Sequence, residues 1–159
     1  MAIVLIRVDD RLIHGQVVMT WIRHVQCTHI KIIDDKTASD EFMCKLLTSI
    51  GPSGIGLDIL TVEKAVEFYP EWQRSKDKVM VIVKTPITLK EMSSFGIEYK
   101  SVNIGGSYIG PGRKKFHKNI AFSDEEKLYV LELVRKGVDV FYQMAATERR
   151  EPITEKMFK

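Results

Sequence analysis

A series of short apolar runs, rich in β-branched residues, constrains the fold of this chain more than any other feature. Residues 78–83 form the clearest run, and residues 3–8 and 29–33 have the same character. Runs that are apolar at nearly every position are typical of strands covered on both faces, as in a parallel sheet. Weaker runs predict further strands over residues 57–60, 101–104, 119–121 and 138–144.

Segments with helical periodicity separate these runs. They predict helices over residues 16–25, from Ser39 as the cap to Thr48, over 62–69 with a stop at Pro70, over 89–95 with Thr88 as the cap, and from Ser123 to Lys136. Strands that alternate with helices indicate an α/β fold. We therefore expect an open, mostly parallel sheet of about six to seven strands, with helices on both of its faces.

Length and composition narrow the class of protein. A chain of 159 residues with 45% apolar residues is expected to form one domain over residues 1–159. The net charge of +3 is small and spread along the chain, which argues against nucleic-acid binding. No apolar run is long enough to cross a bilayer, and no signal peptide is evident, so a cytoplasmic location is expected. Cys27 and Cys44 lack metal-site spacing and are interpreted as reduced thiols.

Two polar segments are expected to lie outside the packed fold. The chain from Thr147 onward is polar and is predicted to be loosely held. The basic cluster from Arg113 to Lys115, followed by His117, is predicted to be a solvated loop. The alternative is that this cluster helps to dock an acidic partner surface, because steering between carrier proteins is often electrostatic.

Polar or glycine-rich residues lie at the ends of several predicted strands. They are Asp9 and Asp10, Asp34 and Asp35, Lys84 to Pro86, and Asn103 to Gly106. In open α/β sheets, ligands bind beyond the carboxyl ends of the strands. A parallel sheet would therefore gather these residues at one edge, around the first loop.

That first loop has the composition of a phosphoryl-transfer site. Neutral imidazole is a good nucleophile toward phosphorus, which makes His14 the candidate acceptor. Arg11 offers a planar pair of donors for phosphate oxygens. Gly15 and Gln16 would open a helix, whose free N–H groups favour an anion. Asp9 or Asp10 could orient the arginine or the imidazole. The sequence suggests neither a metal site nor a cofactor.

The chain resembles the IIB subunit of the mannose-type sugar phosphotransferase system, which includes mannose, fructose, sorbose and N-acetylgalactosamine transporters. The motif that carries the resemblance runs from Arg7 to Val17 and is followed by Trp21. Weaker matches follow at residues 32–35, 40–42, 62–65, 81–86, 103–106 and 123–140, so that the similarity spans nearly the whole chain.

The resemblance implies a cytoplasmic phosphohistidine carrier, an enzyme that transfers a phosphoryl group from a IIA protein to a sugar. The sugar would be taken up through the membrane subunits IIC and IID, so any membrane association would occur through these partners. By resemblance, His14 is the phosphorylated residue, through its δ nitrogen, with Arg11 and Asp9 as the other catalytic residues. A homodimer is among the assemblies that the sequence permits.

Other residues of the strand ends are expected to contact the substrate. They are Asp10, Gly15, Gln16, Asp35, Lys84 and Gly105. Two alternatives remain open from the sequence. The first is a non-catalytic phosphate- or nucleotide-binding α/β module, in which Arg11 and the helix N-terminus form a static anion site. The second is a hydrolase that uses His14 as a transient nucleophile.

Overall fold

Six of the seven predicted runs form strands of one seven-stranded sheet, whereas the run at residues 119–121 belongs to a separate two-stranded hairpin. The computed structural model describes residues 2–159. The strands are β1 (Ile3–Asp9), β2 (His29–Ile33), β3 (Gly56–Leu60), β4 (Val79–Val83), β5 (Ser101–Gly106), β6 (Lys114–His117), β7 (Ile120–Phe122), β8 (Asp139–Tyr142) and β9 (Glu151–Pro152). The seven strands lie in the order β3-β2-β4-β1-β5-β8-β9, whereas β6 and β7 pair separately as a hairpin.

Helices connect most of the strands. They are α1 (Gly15–Val25), α2 (Asp35–Ala38), α3 (Glu41–Ile50), α4 (Val62–Arg74), α5 (Pro86–Ser93) and α6 (Asp124–Arg135), and a 3₁₀ turn (Glu155–Phe158) ends the chain. Within the seven-stranded sheet of residues 2–159, all neighbouring strands from β3 to β8 pair in parallel, and β9 pairs antiparallel with β8. The predicted open, mostly parallel α/β sheet is therefore confirmed.

Side chains of the central strands point alternately to two apolar layers, as the period of a strand requires. On β4, Val81 packs in a layer with residues of α4, α5 and α6, whereas Met80 and Ile82 pack with residues of α1 and α3. All three side chains are fully buried. Both faces of the sheet are thus covered, which explains why these strands are apolar at nearly every position.

Two of the predicted helix caps are shifted. Asp40, not Ser39, is the cap of α3, and its carboxylate accepts a hydrogen bond from the backbone of Met43. Thr85, not Thr88, is the cap of α5. Pro86 fits the first position of a helix, and the hydroxyl of Thr85 then accepts a hydrogen bond from the backbone N–H of Ile87. Ser123 caps α6 through the predicted capping box.

The predicted stop of a helix at Pro70 is wrong, since α4 continues through this residue to Arg74. A proline inside a helix removes one backbone hydrogen bond and disfavours the helical turn before it. Here the side chains on both sides of the proline, Tyr69 and Trp72, are buried against the sheet. Their packing offsets the local cost of the proline.

The basic cluster and the C-terminal tail are more ordered than the sequence predicts. Lys114 and Lys115 belong to the hairpin of β6 and β7 instead of a solvated loop, because Phe116 packs against Phe122 and Phe158. The tail is not loosely held: β9 pairs with β8, and Ile153 is buried in the core. A polar segment is therefore fixed by one short strand and one apolar anchor.

Both cysteines are free thiols: Cys27 is buried and Cys44 is partly buried. Over residues 2–159, no helix combines the length and the apolar character that a membrane crossing requires.

We predict that Ile153→Ala lowers the free energy of unfolding by about 2–5 kcal/mol, because a buried side chain is lost and a cavity remains. Urea denaturation measures this change. Leu128→Ala is the matched control, since Leu128 is exposed on α6, and its effect should stay within about 0.5 kcal/mol. Equal effects of the two variants would show that the tail contributes no more than a surface residue.

Candidate active site

The first loop begins where β1 ends, and its shape follows from the residues around that end. Arg7 and Asp9 lie two positions apart on β1, so their side chains share one face of the sheet. Leu12 and Ile13 are buried and anchor the loop in the core, with Leu12 in the left-handed conformation at φ 59°. The chain then reaches His14, which is the N-cap residue of α1.

His14 is held by a single carboxylate. Its Nε2 lies 2.9 Å from Oδ2 of Asp9, and its side chain is 22% exposed. A carboxylate accepts hydrogen bonds, so this contact assigns the ring proton to Nε2. The Nδ1 atom then keeps the free electron pair, which makes it the nucleophilic nitrogen of the ring.

Asp9 is completely buried and accepts hydrogen bonds from three residues. Besides His14, the donors are Nη2 of Arg7 at 2.8 Å and, from Arg11, the backbone N at 3.0 Å and Nε at 3.2 Å. Burial by itself would raise the pKa of the Asp9 carboxyl. The charge of Arg7 and the hydrogen bonds from His14 and Arg11 outweigh it, so the pKa lies below its usual value. Asp9 is therefore a carboxylate at neutral pH.

The two arginines around Asp9 differ in their access to solvent. The Arg7 side chain is 2% exposed, and burial lowers the pKa of its guanidinium, partly opposed by Asp9. The Arg11 side chain is 44% exposed even though Nε and Nη2 face Asp9. Arg11 can consequently donate its remaining N–H groups to a phosphoryl group, whereas Arg7 cannot reach one.

A cleft of about 880 Å³ opens beside the loop. It is lined by Asp10, Arg11, Lys84, Thr85, Gly106, Ser107, Tyr108, Ile109, Arg113, Lys118, Asn119 and Met144. Asp10 fixes one wall, since its Oδ2 accepts from the backbone N of Tyr108 at 2.7 Å and lies 3.7 Å from Nη1 of Arg113. Arg113 in turn forms two hydrogen bonds to the buried Glu126.

The remaining predicted contact residues fall into two groups. Lys84 lines the cleft, with Nζ 3.6 Å from Asp34, and Gly15 and Gln16 open α1 next to His14. Asp35 and Gly105 are engaged elsewhere. Oδ1 of Asp35 accepts from the backbone N of Val62 at 2.7 Å and so supports the start of α4, while Gly105 lies against the guanidinium of Arg7. Their contact with a substrate stays a prediction.

Sequence reasoning missed the support behind Asp9 and one wall of the cleft. Arg7 donates to Oδ1 of Asn103 at 2.6 Å and to the backbone O of Gln143 at 3.1 Å. A charged residue inside an otherwise apolar strand was the available signal for Arg7. Tyr108 and Arg113 lie in a glycine-rich segment, whose sequence gives no indication of the partners that fix it.

The structure thus defines an α/β protein in which the loop after the central strand β1 holds a histidine against a buried carboxylate, with one exposed arginine beside it. Residues 3–159 match the family model described as "PTS system sorbose subfamily IIB component". The chain belongs to this family, the sorbose subfamily of IIB components of the phosphotransferase system.

Individual relatives agree with this assignment over nearly full length. The N-acetylgalactosamine-specific phosphotransferase enzyme IIB component 1 of Escherichia coli is 29% identical over 154 residues, which cover 96% of this chain and 97% of the relative. The crystal structure of the IIBSor domain of the sorbose permease from Klebsiella pneumoniae superimposes with a TM-score of 0.89 at 31% identity, covering 99% of this chain and 96% of the other.

A third relative is longer than this chain. The mannose-specific EIIAB component of Escherichia coli is 26% identical over 148 residues, which cover 93% of this chain but 46% of the relative. The chain therefore corresponds to about half of a protein whose name joins IIA and IIB.

We predict that Asp9→Asn lowers the free energy of unfolding by about 3–5 kcal/mol at pH 7, because the charge of Arg7 then stays buried without its carboxylate. Since the folded pKa of Asp9 is depressed, its stabilisation is complete above its ordinary pKa of 3.8 and is lost as the pH falls through the folded pKa. The difference between the two proteins should therefore shrink below about pH 4.

Urea denaturation over a pH series measures this difference. Asp58→Asn is the control, because Asp58 is half exposed and pairs with Lys31 at the surface. We expect a change of no more than about 1 kcal/mol for it. A penalty for Asp9→Asn that stayed constant down to pH 2 would contradict an ionised Asp9 in the folded protein.

Proposed function

We propose that this chain is the phosphocarrier IIB component of a sugar phosphotransferase system. His14 accepts a phosphoryl group from a IIA protein and passes it to a sugar taken up through membrane subunits IIC and IID. The observation that carries the proposal is the contact between Nε2 of His14 and the buried carboxylate of Asp9, which leaves Nδ1 as the nucleophile. Membership of the IIB family and the relatives' names, which are those of sugar-specific phosphotransferases, support the same conclusion.

The chemistry of the first transfer follows from this geometry. The electron pair of Nδ1 attacks phosphorus, and the bond from phosphorus to the donor's nitrogen breaks, so that its electron pair returns to the donor. The His14 ring becomes positively charged, and the Asp9 carboxylate at 2.9 Å from Nε2 balances that charge. Transfer of this kind depends mainly on positioning and charge neutralisation.

The phosphoryl oxygens need donors of their own. Arg11 offers the exposed part of its guanidinium, and the first N–H groups of α1, at Gly15 and Gln16, add partial positive charge. We assign Lys84 and Asp10 to the same site, because both line the cleft beside the loop. In the second transfer a sugar hydroxyl attacks phosphorus and releases its proton to solvent, and the imidazole leaves with the electron pair of the broken bond.

Partners and location follow as part of the proposal. The EIIAB relative, in which a IIB region of this kind accompanies a IIA region by name, supports IIA as the donor. The carrier acts at the cytoplasmic side of the membrane as a single domain over residues 1–159 and meets the membrane through IIC and IID. A homodimer stays a prediction. The alternative of a static anion-binding module receives no support from the relatives, which are named as phosphotransferase components.

We predict that incubation with phosphoenolpyruvate, the general phosphotransferase proteins and a cognate IIA adds one phosphate to the wild type and none to His14→Ala. The label should be labile in acid and stable in base, as expected for phosphohistidine. Intact mass spectrometry measures the addition. His24→Ala is the matched control, since His24 is exposed near the end of α1 and should be labelled like the wild type.

Two outcomes would contradict the proposal. Labelling of His14→Ala to the level of the wild type would move the acceptor to another residue. An unlabelled wild type in a system whose IIA labels its own IIB, combined with anion binding that survives His14→Ala in calorimetry, would favour the static module.

We predict that Arg11→Lys slows transfer from IIA to His14 by about 10- to 100-fold, because the planar pair of donors is lost although the charge remains. Rapid-quench kinetics of phosphorylation measures the rate. Arg23→Lys, an exposed position on α1, provides the control and should transfer at the wild-type rate. A wild-type rate for Arg11→Lys would show that Arg11 does not bind the phosphoryl group through two N–H groups.

A further inference from the structure

Arg7 lies behind the site and contacts residues of β1, β5 and α1 and the residue that follows β8. Its Nη2 donates to Asp9, and its Nη1 donates to Asn103 on β5 and to the backbone of Gln143, directly after β8. The guanidinium carbon lies 5.5 Å from the ring centre of Trp21 on α1. With 2% of its side chain exposed, Arg7 is buried and is not part of the cleft lining.

Gly105 provides the room for this guanidinium. A Cβ atom at Gly105 would lie 2.3 Å from Cζ and from Nη2 of Arg7, which is far closer than nonbonded atoms approach. The neighbouring Gly106 differs, because a Cβ there would meet Nη2 of Arg11 at an ordinary 3.4 Å. The absence of a side chain at Gly105 is therefore a condition for the position of Arg7.

We propose that Arg7 is a positioning residue for phosphoryl transfer: by holding the Asp9 carboxylate, it fixes the proton of His14 on Nε2 and the electron pair on Nδ1. The inference rests on the proposed role of His14 as the acceptor. In the transfer the Nδ1 pair forms the new bond to phosphorus while the donor's bond to phosphorus breaks, and the proton on Nε2 stays where it is. A ring with its proton on Nδ1 has no electron pair there and cannot accept the group at that atom.

The charges around Asp9 explain why Arg7 is needed in addition to Arg11. Asp9 faces Arg7 on β1, Arg11 in the loop and His14 at the start of α1. Arg11 is the exposed cation, so a phosphoryl group on His14 competes with Asp9 for its N–H groups. Arg7 cannot leave, because Asn103 and Gln143 hold its other nitrogen. Asp9 thus stays paired while Arg11 binds the phosphoryl group.

The ring proton of His14 can be located by NMR without any phosphorylation. Long-range ¹H–¹⁵N correlation of protein labelled with ¹⁵N-histidine, at a pH where the His14 ring is neutral, distinguishes the two tautomers. We expect the wild type to show the Nε2–H form. Arg7→Met should shift a large fraction of the rings to the Nδ1–H form and slow phosphorylation by IIA by about 100-fold. Arg7→Lys, which keeps the charge, should restore part of both.

Gly105→Ala tests the same point without removing the charge, and it also covers the case in which Arg7→Met fails to fold. It should displace the Arg7 guanidinium, change the ¹H–¹⁵N signal of Arg7 Nε and shift the His14 tautomer. Gly51→Ala is its control, because a Cβ there meets only residues far from the cleft (Leu57 at 3.2 Å and the main-chain oxygens of Leu47 and Thr48), and it should leave the tautomer unchanged. Thermal unfolding confirms in each case that the protein measured is folded.

The outcomes separate the possible roles of Arg7. A folded Arg7→Met or Gly105→Ala protein that keeps His14 in the Nε2–H form would overturn the proposal, since a purely structural arginine would change stability alone. A wild type that shows the Nδ1–H form would overturn it as well. If His14 took no phosphate, the proposed function would fail, and the tautomer measurements would still report whether Arg7 acts on the ring.

Discussion

The buried carboxylate of Asp9 is the interaction on which the geometry of the site depends. A charge without access to water requires a counter-charge, which Arg7 supplies from the same face of β1. Asp9 also orders the loop that follows it through two hydrogen bonds. Its side chain accepts one from the backbone N–H of Arg11, and its main-chain O accepts the other from the backbone N–H of Leu12. The same carboxylate also fixes the ring of His14. One side chain therefore determines both the course of the loop and the orientation of the nucleophile.

Buried ion pairs contribute little net stability, because the cost of desolvation is close to the gain in attraction. The pair of Arg7 and Asp9 is better explained by what it does to the charges around His14. In the proposed transfer, Arg7 neutralises Asp9 from behind, so that the charge of Arg11 can pair with the phosphoryl group. A carrier needs both properties at once: a nucleophile held in a fixed orientation and a cation that can turn to the incoming group. The exposures of the two arginines, 2% and 44%, reflect that division.

The parts that sequence predicted correctly are those encoded by neighbouring residues. The apolar runs predict the strands, because a strand buried on both faces has few polar positions. The loop from Asp9 to His14 could be recognised because its residues are contiguous in the sequence. The support behind the loop could not be predicted, since the partners of Arg7 lie 96 and 136 residues further along the chain. The same limit applies to Pro70 and to the tail, where packing of Trp72 and Ile153 against distant strands overrides local preference.

The cleft that Asp10 and Arg11 of the first loop line combines cations with acids that already pair with them. Lys84 lies 3.6 Å from Asp34, and Lys118 lies 2.8 Å from Glu151. Arg113, with two bonds to Glu126, is paired most tightly of the three. Cations that were all free would bind a phosphoryl group strongly and oppose its departure. Paired cations attract an anion less strongly, because part of their field is cancelled by the partner acid. A relay must release what it accepts, and a cleft whose cations, Arg11 included, already pair with acids meets that requirement better than one lined by free cations.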